Sequence, residues 1–323
     1  MKLLSPTKLP LKSNKPIESL AIAIDGSDVV VGQGHGLNSR SKVFQPALSR
    51  WSLPLLSELA APSPCPFTPD GERFVSDHCS TMARSEHWLA AAGARRRLMV
   101  QHATNPGEWT EPVDSEVSWA RLAGPMLAVG GERTRIHNLE SGMLAWCLGR
   151  ALPGTGTRNT PVCPKIAFRP DRKAFAVGGV DESNLFLYSM NLQTSSCGTI
   201  PLRIFSGAPD RLDWLGFSPD GKHLAAKNAN LDYDHLLIWR EGQTDPHLRK
   251  VQSASTLAFH PDAEHFVTAL ASELRIHRLS DGEQIGSRKF GRDTRQIKLE
   301  FTPDGSMLIT GDRSGRLLAW PVA

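Results

Sequence analysis

The strongest constraint on this chain is a short module that it repeats. The copy nearest the C-terminus runs Phe301-Thr302-Pro303-Asp304-Gly305, then Met307 to Thr310, a polar turn from Gly311 to Gly315, and Leu317-Leu318-Ala319-Trp320. It reads as three short strands. Pro303 presets φ for the first corner of a type I turn, and the Asp304 carboxylate can accept from nearby backbone N–H groups. Gly305 supplies the left-handed residue that lets two strands run on antiparallel. Phe301 ends a strand whose alternate side chains face a neighbouring sheet.

The same pattern returns at Phe67-Thr68-Pro69-Asp70-Gly71, Phe168-Arg169-Pro170-Asp171-Arg172, Phe217-Ser218-Pro219-Asp220-Gly221 and Phe259-His260-Pro261-Asp262-Ala263. A fainter copy is Ile22-Ala23-Ile24-Asp25-Gly26. Another centres on Trp119, where Leu127-Ala128-Val129-Gly130-Gly131 repeats Phe175-Ala176-Val177-Gly178-Gly179. These seven anchors are about 42 to 53 residues apart, close to the ~40–45 residue period of propeller blades. Sheets repeated at that period bury their faces only against their neighbours. The expected fold is all-β: a single seven-bladed β-propeller of four-stranded antiparallel blades, occupying residues 1–323 as one domain. Arg172 and Ala263 stand where the turn wants glycine. Either they accept a left-handed backbone at roughly 1–2 kcal/mol, or those two turns change type.

The last module offers three strands and stops at Pro321-Val322-Ala323, whereas Lys8-Leu9-Pro10-Leu11 reads as a strand with no partner nearby. Residues 1–15 are expected to add the outer strand of the C-terminal blade and close the ring without an open sheet edge; the alternative is a disordered tail. With 37 Lys+Arg against 33 Asp+Glu the formal charge is +4. The pI of about 8.9 falls just short of the values above ~9 that mark a dedicated nucleic-acid domain. Five scattered cysteines without C-x-x-C spacing indicate neither a disulfide framework nor a zinc knuckle. Pro6 and Pro10 interrupt any signal-peptide core, and no apolar run nears the ~18 residues that cross a bilayer. The expectation is a soluble, cytoplasmic protein with no membrane association.

Individual modules depart from the pattern in ways that bear on function. Module one reads as Asp28 to Gly32, then Lys42-Val43-Phe44, with Arg50-Trp51-Ser52-Leu53 as its outer strand. Its Gly32-Gln33-Gly34-His35-Gly36 loop opens no helical period, so it is a hairpin and not a dinucleotide cradle. In module two, residues 77–97 read as a rim insertion between Phe74-Val75-Ser76 and Leu98-Met99-Val100, and insertions of that kind often form a binding face. His78, Cys79 and His87 within it lack a fourth ligand at recognisable spacing, so no metal is assigned. His137 and His277 share the slot of Trp239 and Trp320 and are read as structural. Gly149 to Pro164, with Arg158 and the adjacent Lys165, is either an ordinary connection or a contact for phosphate or an acidic peptide. Asn228 to His235, carrying Tyr233, is a second candidate contact loop.

Phe217 through Ala225 with Leu236-Leu237-Ile238-Trp239 resembles the WD-repeat β-propeller family, as does Phe301 through Trp320. The likeness covers essentially the whole chain and is strongest in the last four modules. The F-x-P-D-G turn is also similar to that of Tol-type periplasmic propellers, a branch that the missing export signal disfavours. The resemblance implies a blade network of turn Asp, second-strand Ser or Thr, third-strand Trp and a preceding His. Asp312, Thr310 and Trp320 match it, but no His precedes Leu299 and no Trp-Asp dipeptide follows a third strand. Blade stability must then lean on apolar packing. The Ala-, Arg-, Gly- and Pro-rich composition suits a divergent prokaryotic member. Such propellers are expected as accessory subunits of multiprotein machines, defence or signalling complexes included.

No G-x-S-x-G, H-E-x-x-H, G-x-x-x-x-G-K-[ST] or kinase motif is present. Asp25, Asp70, Asp171, Asp220, Asp262 and Asp304 fall one per module in turns, where backbone capping explains them. The expected function is a non-catalytic protein–protein interaction scaffold with no cofactor. Its candidate contacts are Trp88 as an aromatic anchor with Arg95, Arg96 and Arg97 around it, together with Arg158 and Tyr233. The alternative is a nucleic-acid-contacting subunit carried by Arg95-Arg96-Arg97, Arg158 and Lys165, whose binding would fall linearly in log salt. An enzyme with a site in the central channel is the third reading.

Overall fold

A computed structural model describes residues 1–9, 16–33, 48–53, 58–59, 81–92, 98–105, 108–113, 117–131, 133–148, 164–180, 183–194, 196–208, 212–228, 235–252, 256–270, 273–289 and 298–323. Among these residues every regular element is a β-strand, and the strands form seven antiparallel sheets. Blade one comprises Ile17–Ile22, Asp28–Gln33, Leu48–Ser52 and Glu58–Leu59; blade two comprises Thr81–Arg84, Trp88–Ala92, Leu98–His102 and Trp109–Thr110. Blade three is Val117–Ala123, Met126–Gly131, Thr134–Asn138 and Leu144–Leu148. Blade four is Lys165–Phe168, Ala174–Gly178 and Asn184–Asn191, followed by Ser196–Cys197 and Arg203–Ser206. Blade five is Leu212–Phe217, His223–Asn228, His235–Arg240 and Leu248–Gln252. Blade six is Leu257–Phe259, His265–Leu270, Glu273–Arg278 and Gln284–Lys289, and blade seven is Lys298–Phe301, Met307–Gly311 and Leu317–Pro321 joined by Thr7–Leu9.

Turn chemistry sets the first hairpin of most blades. Gly26, Arg172, Gly221, Ala263 and Gly305 each donate their backbone N–H to the carbonyl three residues earlier, at 2.9–3.0 Å. The preceding aspartate accepts from the N–H two residues on: Asp25 from Ser27, Asp171 from Lys173, Asp220 from Lys222, Asp262 from Glu264 and Asp304 from Ser306. The carboxylates are thus consumed by the turns that the sequence assigned to them. Arg172 and Ala263 do adopt the left-handed backbone, at φ 59° and 57°. The turn type is kept and the residue bears the strain.

Side chains that alternate along each strand face the two neighbouring sheets, and seven separate apolar clusters fill the seven junctions of the ring. Between blades four and five, Leu185, Phe205 and Leu212 meet Leu215, Leu224 and Trp239. The approach there is tight: a Cβ on Gly178 would lie 2.2 Å from Leu212 Cδ1. Between blades seven and one, Ile309, Leu317 and Ala319 pack on Ile17, Val29, Val31 and Trp51, with Leu9 in the same cluster. Thr7, Lys8 and Leu9 pair with Ala319, Leu318 and Leu317, and Leu3 and Leu9 are buried. The N-terminal strand therefore both extends blade seven and fills the junctions on its two sides.

Two assignments from sequence are corrected. In blade one the third strand is Leu48–Ser52, since Trp51 pairs with Val29 and is buried, and the outer strand is Glu58–Leu59; residues 42–44 lie outside the described residues. In blade two, the stretch 81–92 is not a rim insertion but supplies the first two strands, Thr81–Arg84 and Trp88–Ala92. Ala90, Ala91 and Ala92 are fully buried between sheets, so this run is core and not loop. The blade turns at Ser85-Glu86-His87, where the Ser85 N–H donates to Trp88 O at 2.9 Å; Phe67 to Gly71 lies outside the described residues.

Two stability outcomes follow. Ala263→Gly relieves a left-handed cost of about 1–2 kcal/mol against about 0.5–1 kcal/mol of added unfolded-state freedom. Denaturant unfolding should show a gain of roughly 0.5–1 kcal/mol, a change that no contact in the folded turn would produce. Leu9→Ala leaves a void at the junction of blades seven and one and should cost about 2–5 kcal/mol in the same measurement.

Candidate functional site: the blade-four edge and the central channel

Because each blade is an antiparallel meander, its first-to-second and third-to-fourth turns lie on one rim, here the turn rim. Its second-to-third hairpin and its link to the next blade lie on the other. Trp88 begins the second strand of blade two and so stands at the turn rim. It is half-buried beside His102, with ring centroids 4.6 Å apart. Arg95, Arg96 and Arg97 fall in the connection that follows the other end of that strand and, like Arg158 and Tyr233, lie outside the described residues. Five residues of strand at ~3.3 Å each separate Trp88 from the far rim by about 13 Å.

A different surface draws attention. Among the described residues, five of the eight exposed large hydrophobics sit on the outer edges of two neighbouring blades: Met143 and Leu144 on blade three, and Ile200, Leu202 and Ile204 on blade four. Blade four differs from the others in that its third strand pairs with both Ser196–Cys197 and Arg203–Ser206. The chain between those strands carries Ile200, which is 79% exposed, and Leu202, which is 63% exposed. Outer edges are normally blunted by charge, so an aliphatic row on one is unusual. Beside it, at the junction with blade five, opens a pocket of ≈ 210 Å³ lined by Leu202, Arg203, Arg169, Lys222, His223 and Trp239 among others. Neither ring nitrogen of His223 has a hydrogen-bond partner among the described residues. Burial, opposed by Asp220 and reinforced by His247, Arg240 and Lys222, holds its imidazole below the ordinary value and neutral.

The central channel is a second cavity, of ≈ 680 Å³, bounded by the first strands of the blades. One arc of its wall carries Arg84, Arg121 and Glu300; the opposite arc carries Trp214, Phe217 and Phe259 with turn prolines Pro219 and Pro261. Arg84 is fixed by the buried Asp28, reached by its Nη1 and, at 3.3 Å, its Nη2; Arg50 also binds Asp28, at 2.6 Å. Burial pushes the Asp28 carboxyl up, but hydrogen bonds from the two guanidiniums outweigh it and hold it below the carboxylate range. Glu300 goes the other way. Burial lifts its carboxyl to about 7, against the Ile22 backbone N–H and the charges of Arg121 and Arg84.

Other polar clusters are structural. Ligand atoms of Asp262, Glu264 and His265 lie within 4.8 Å of one another, but Asp262 is taken up by its turn, accepting from Glu264 N–H at 2.7 Å and meeting His265 Nδ1 at 2.7 Å. His277 is buried, 3.1 Å from Thr268 Oγ1 and stacked on Phe266; its counterpart Trp320 donates to Thr310 at 3.0 Å. Asp312 instead serves its own hairpin, accepting from Arg316 Nε at 2.7 Å. Lys165 lies 5.8 Å over the Trp119 ring. Burial pushes the Cys197 thiol up to about 11, which leaves it protonated near neutrality.

No protein-family model matches the chain, and no curated protein matches it. Among solved structures, it is similar to the crystal structure of the Cps50 (Swd1) β-propeller domain of Myceliophteria thermophila, with a TM-score of 0.70 over 98% of this chain and 99% of that one, at 13% identity. At that identity the likeness establishes the propeller architecture.

Glu300 provides a direct check of the channel's electrostatics. Its folded pKa, raised above the ordinary 4.5, means that the native state holds a proton that the unfolded state has lost between about pH 4.5 and 7. Wild-type stability therefore falls with rising pH across that window on this group's account. The stability of Glu300→Gln relative to wild type should climb from about pH 4.5 to about 7 and then level off. A difference that stays flat across the window contradicts the assignment.

Proposed function

We propose that this chain is a non-catalytic protein-interaction scaffold, an accessory subunit of a larger assembly, and that it docks an extended segment of a partner along the outer edge of blade four. The observation that carries the reading is the aliphatic row Ile200, Leu202 and Ile204 at the edge strand of the one blade that departs from the four-strand pattern among the described residues. Added strands and apolar side chains seated at alternate positions are a common way for a sheet edge to hold a peptide. The neighbouring pocket favours an acidic anchor residue in that segment, since Arg169, Arg203 and Lys222 outnumber Glu241 on its wall and the His223 nitrogens have no partner among the described residues. The fold supports the same reading: a rigid ring offers fixed edges and rims, and function resides in what they present.

The test is affinity capture from host lysate with wild type, Ile200→Asp/Leu202→Asp, Trp88→Ala and Arg95→Ala/Arg96→Ala/Arg97→Ala, at low and high salt. The proposal expects the double Asp variant to keep its melting temperature and lose the captured protein. Trp88→Ala and the triple Ala variant should retain it, and high salt should weaken it little. Loss confined to the triple Ala variant, with steep salt dependence and nucleic acid in the eluate, would replace the scaffold reading with the nucleic-acid one.

A further inference from the structure

We infer that the central channel is a binding site for a small carboxylate with an apolar body, its carboxylate received by Arg121. The cavity, ≈ 680 Å³, falls within the ~300–1,000 Å³ of small-molecule sites, which are largely apolar with a few convergent polar groups. This channel is divided in that way. Trp214, Phe217 and Phe259 face the charged arc across the ring axis. Gly216 belongs to the apolar arc, where a Cβ would lie 2.4 Å from the Trp214 ring; the residue keeps the indole flat against its own strand.

On the charged arc, Arg121 is a cation with no carboxylate in contact among the described residues. Arg84 is bound by Asp28. Arg121, in contrast, donates Nη1 to Ala120 O on its own strand at 3.0 Å, and no described carboxylate lies within ion-pair distance. A guanidinium retains a planar fork of donors that matches a carboxylate bidentately. Burial also pulls Arg121 below its ordinary value, with the charge of Glu300 opposing, so the site has a desolvated cation without a contacting counter-ion among the described residues. An incoming carboxylate supplies that counter-ion, and the aromatic arc receives the rest of the molecule.

Glu300 regulates the exchange. The groups around it are Arg121 and Arg84, with Asp28 and Arg50 behind Arg84, the Ile22 N–H, and Glu18 and Lys298 on the wall towards the other rim. Ionised Glu300 competes with the ligand for Arg121, so binding belongs to its protonated form. With its carboxyl near 7, apparent affinity should drop about tenfold between about pH 6 and about pH 8. Inorganic phosphate can meet Arg121 but has no apolar body for the aromatic arc, so it should bind more weakly.

Calorimetric titration of the full chain with phenylacetate, phenylacetamide and inorganic phosphate tests this. Phenylacetate should bind at about pH 6 and weaken about tenfold by about pH 8, while the amide and phosphate bind at least about tenfold more weakly at the lower pH. Arg121→Gln should abolish phenylacetate binding. Glu300→Gln should keep the low-pH affinity throughout the range. Absence of phenylacetate binding, an amide or phosphate that equals it, or unchanged binding by Arg121→Gln overturns the inference. Should Arg121→Gln fail to fold, pH dependence that persists in Glu300→Gln overturns it equally.

Discussion

Apolar contact between neighbouring sheets is what the rest of this molecule depends on. A four-stranded sheet of this size cannot stand alone in water, and here each one is held by a cluster on either face. Trp51, Trp239, Trp320, Phe175 and Phe266, all with under 2% of their surface accessible or close to it, are the largest wedges, each worth about 2–3 kcal/mol of transfer free energy. The polar network expected of WD repeats contributes less. At the third-strand position where that network places Trp, successive blades carry Trp51, Gln101, His137, Tyr188, Trp239, His277 and Trp320. Their hydrogen bonds are not uniform: Trp320 donates to Thr310 and His277 Nε2 meets the equivalent Thr268, but Trp239 donates to Ser206 O of blade four, and Gln101 Nε2 and His137 Nε2 to nothing described. What they share is a position between sheets.

The ring gives two surfaces with different physics. The outer edge of blade four is open, aliphatic and set apart by an additional strand pairing, as suits a polypeptide partner. The channel is concave, amphipathic and divided into charged and aromatic arcs, as suits a small molecule. Because both are built on the same rigid scaffold, occupancy of one need not alter the other, and each can be tested by substitutions that leave the junction clusters intact. The ion pair of Arg84 with Asp28 joins blades one and two at the channel wall. Breaking it would strand a buried carboxylate and thus penalise the fold as well as the site.

Local chemistry was legible in the sequence, and long-range chemistry was not. The Pro-Asp-Gly turns were readable because each is a four-residue device whose side chains bond their own backbone; even the strained Arg172 and Ala263 could be located in advance. Blade two was misread because Pro69-Asp70-Gly71 carries the turn signature, while the hairpin in use, Ser85-Glu86-His87, is shorter and carries none of it. Trp88 reads as an aromatic anchor in a loop because nothing local tells a strand tryptophan from a loop one. Fully buried alanines directly after it were the available signal. Asp28 with Arg84 and Glu300 with Arg121 depend on ring closure, which brings together residues far apart in sequence. Their trace in the sequence is a charged residue on a strand otherwise destined for the interior, visible once the innermost strands are known.

The claim beneath all of this is that the ring is closed and held by its junctions, with Thr7–Leu9 as an integral strand of blade seven. Native-state hydrogen exchange followed by mass spectrometry measures it directly. Amides of Thr7–Leu9 should exchange together with those of residues 317–320 and of Asp28–Gln33 across the junction, at the slow rate of concerted opening. Rapid exchange of the N-terminal strand, while the other two stay protected, would contradict the closed ring.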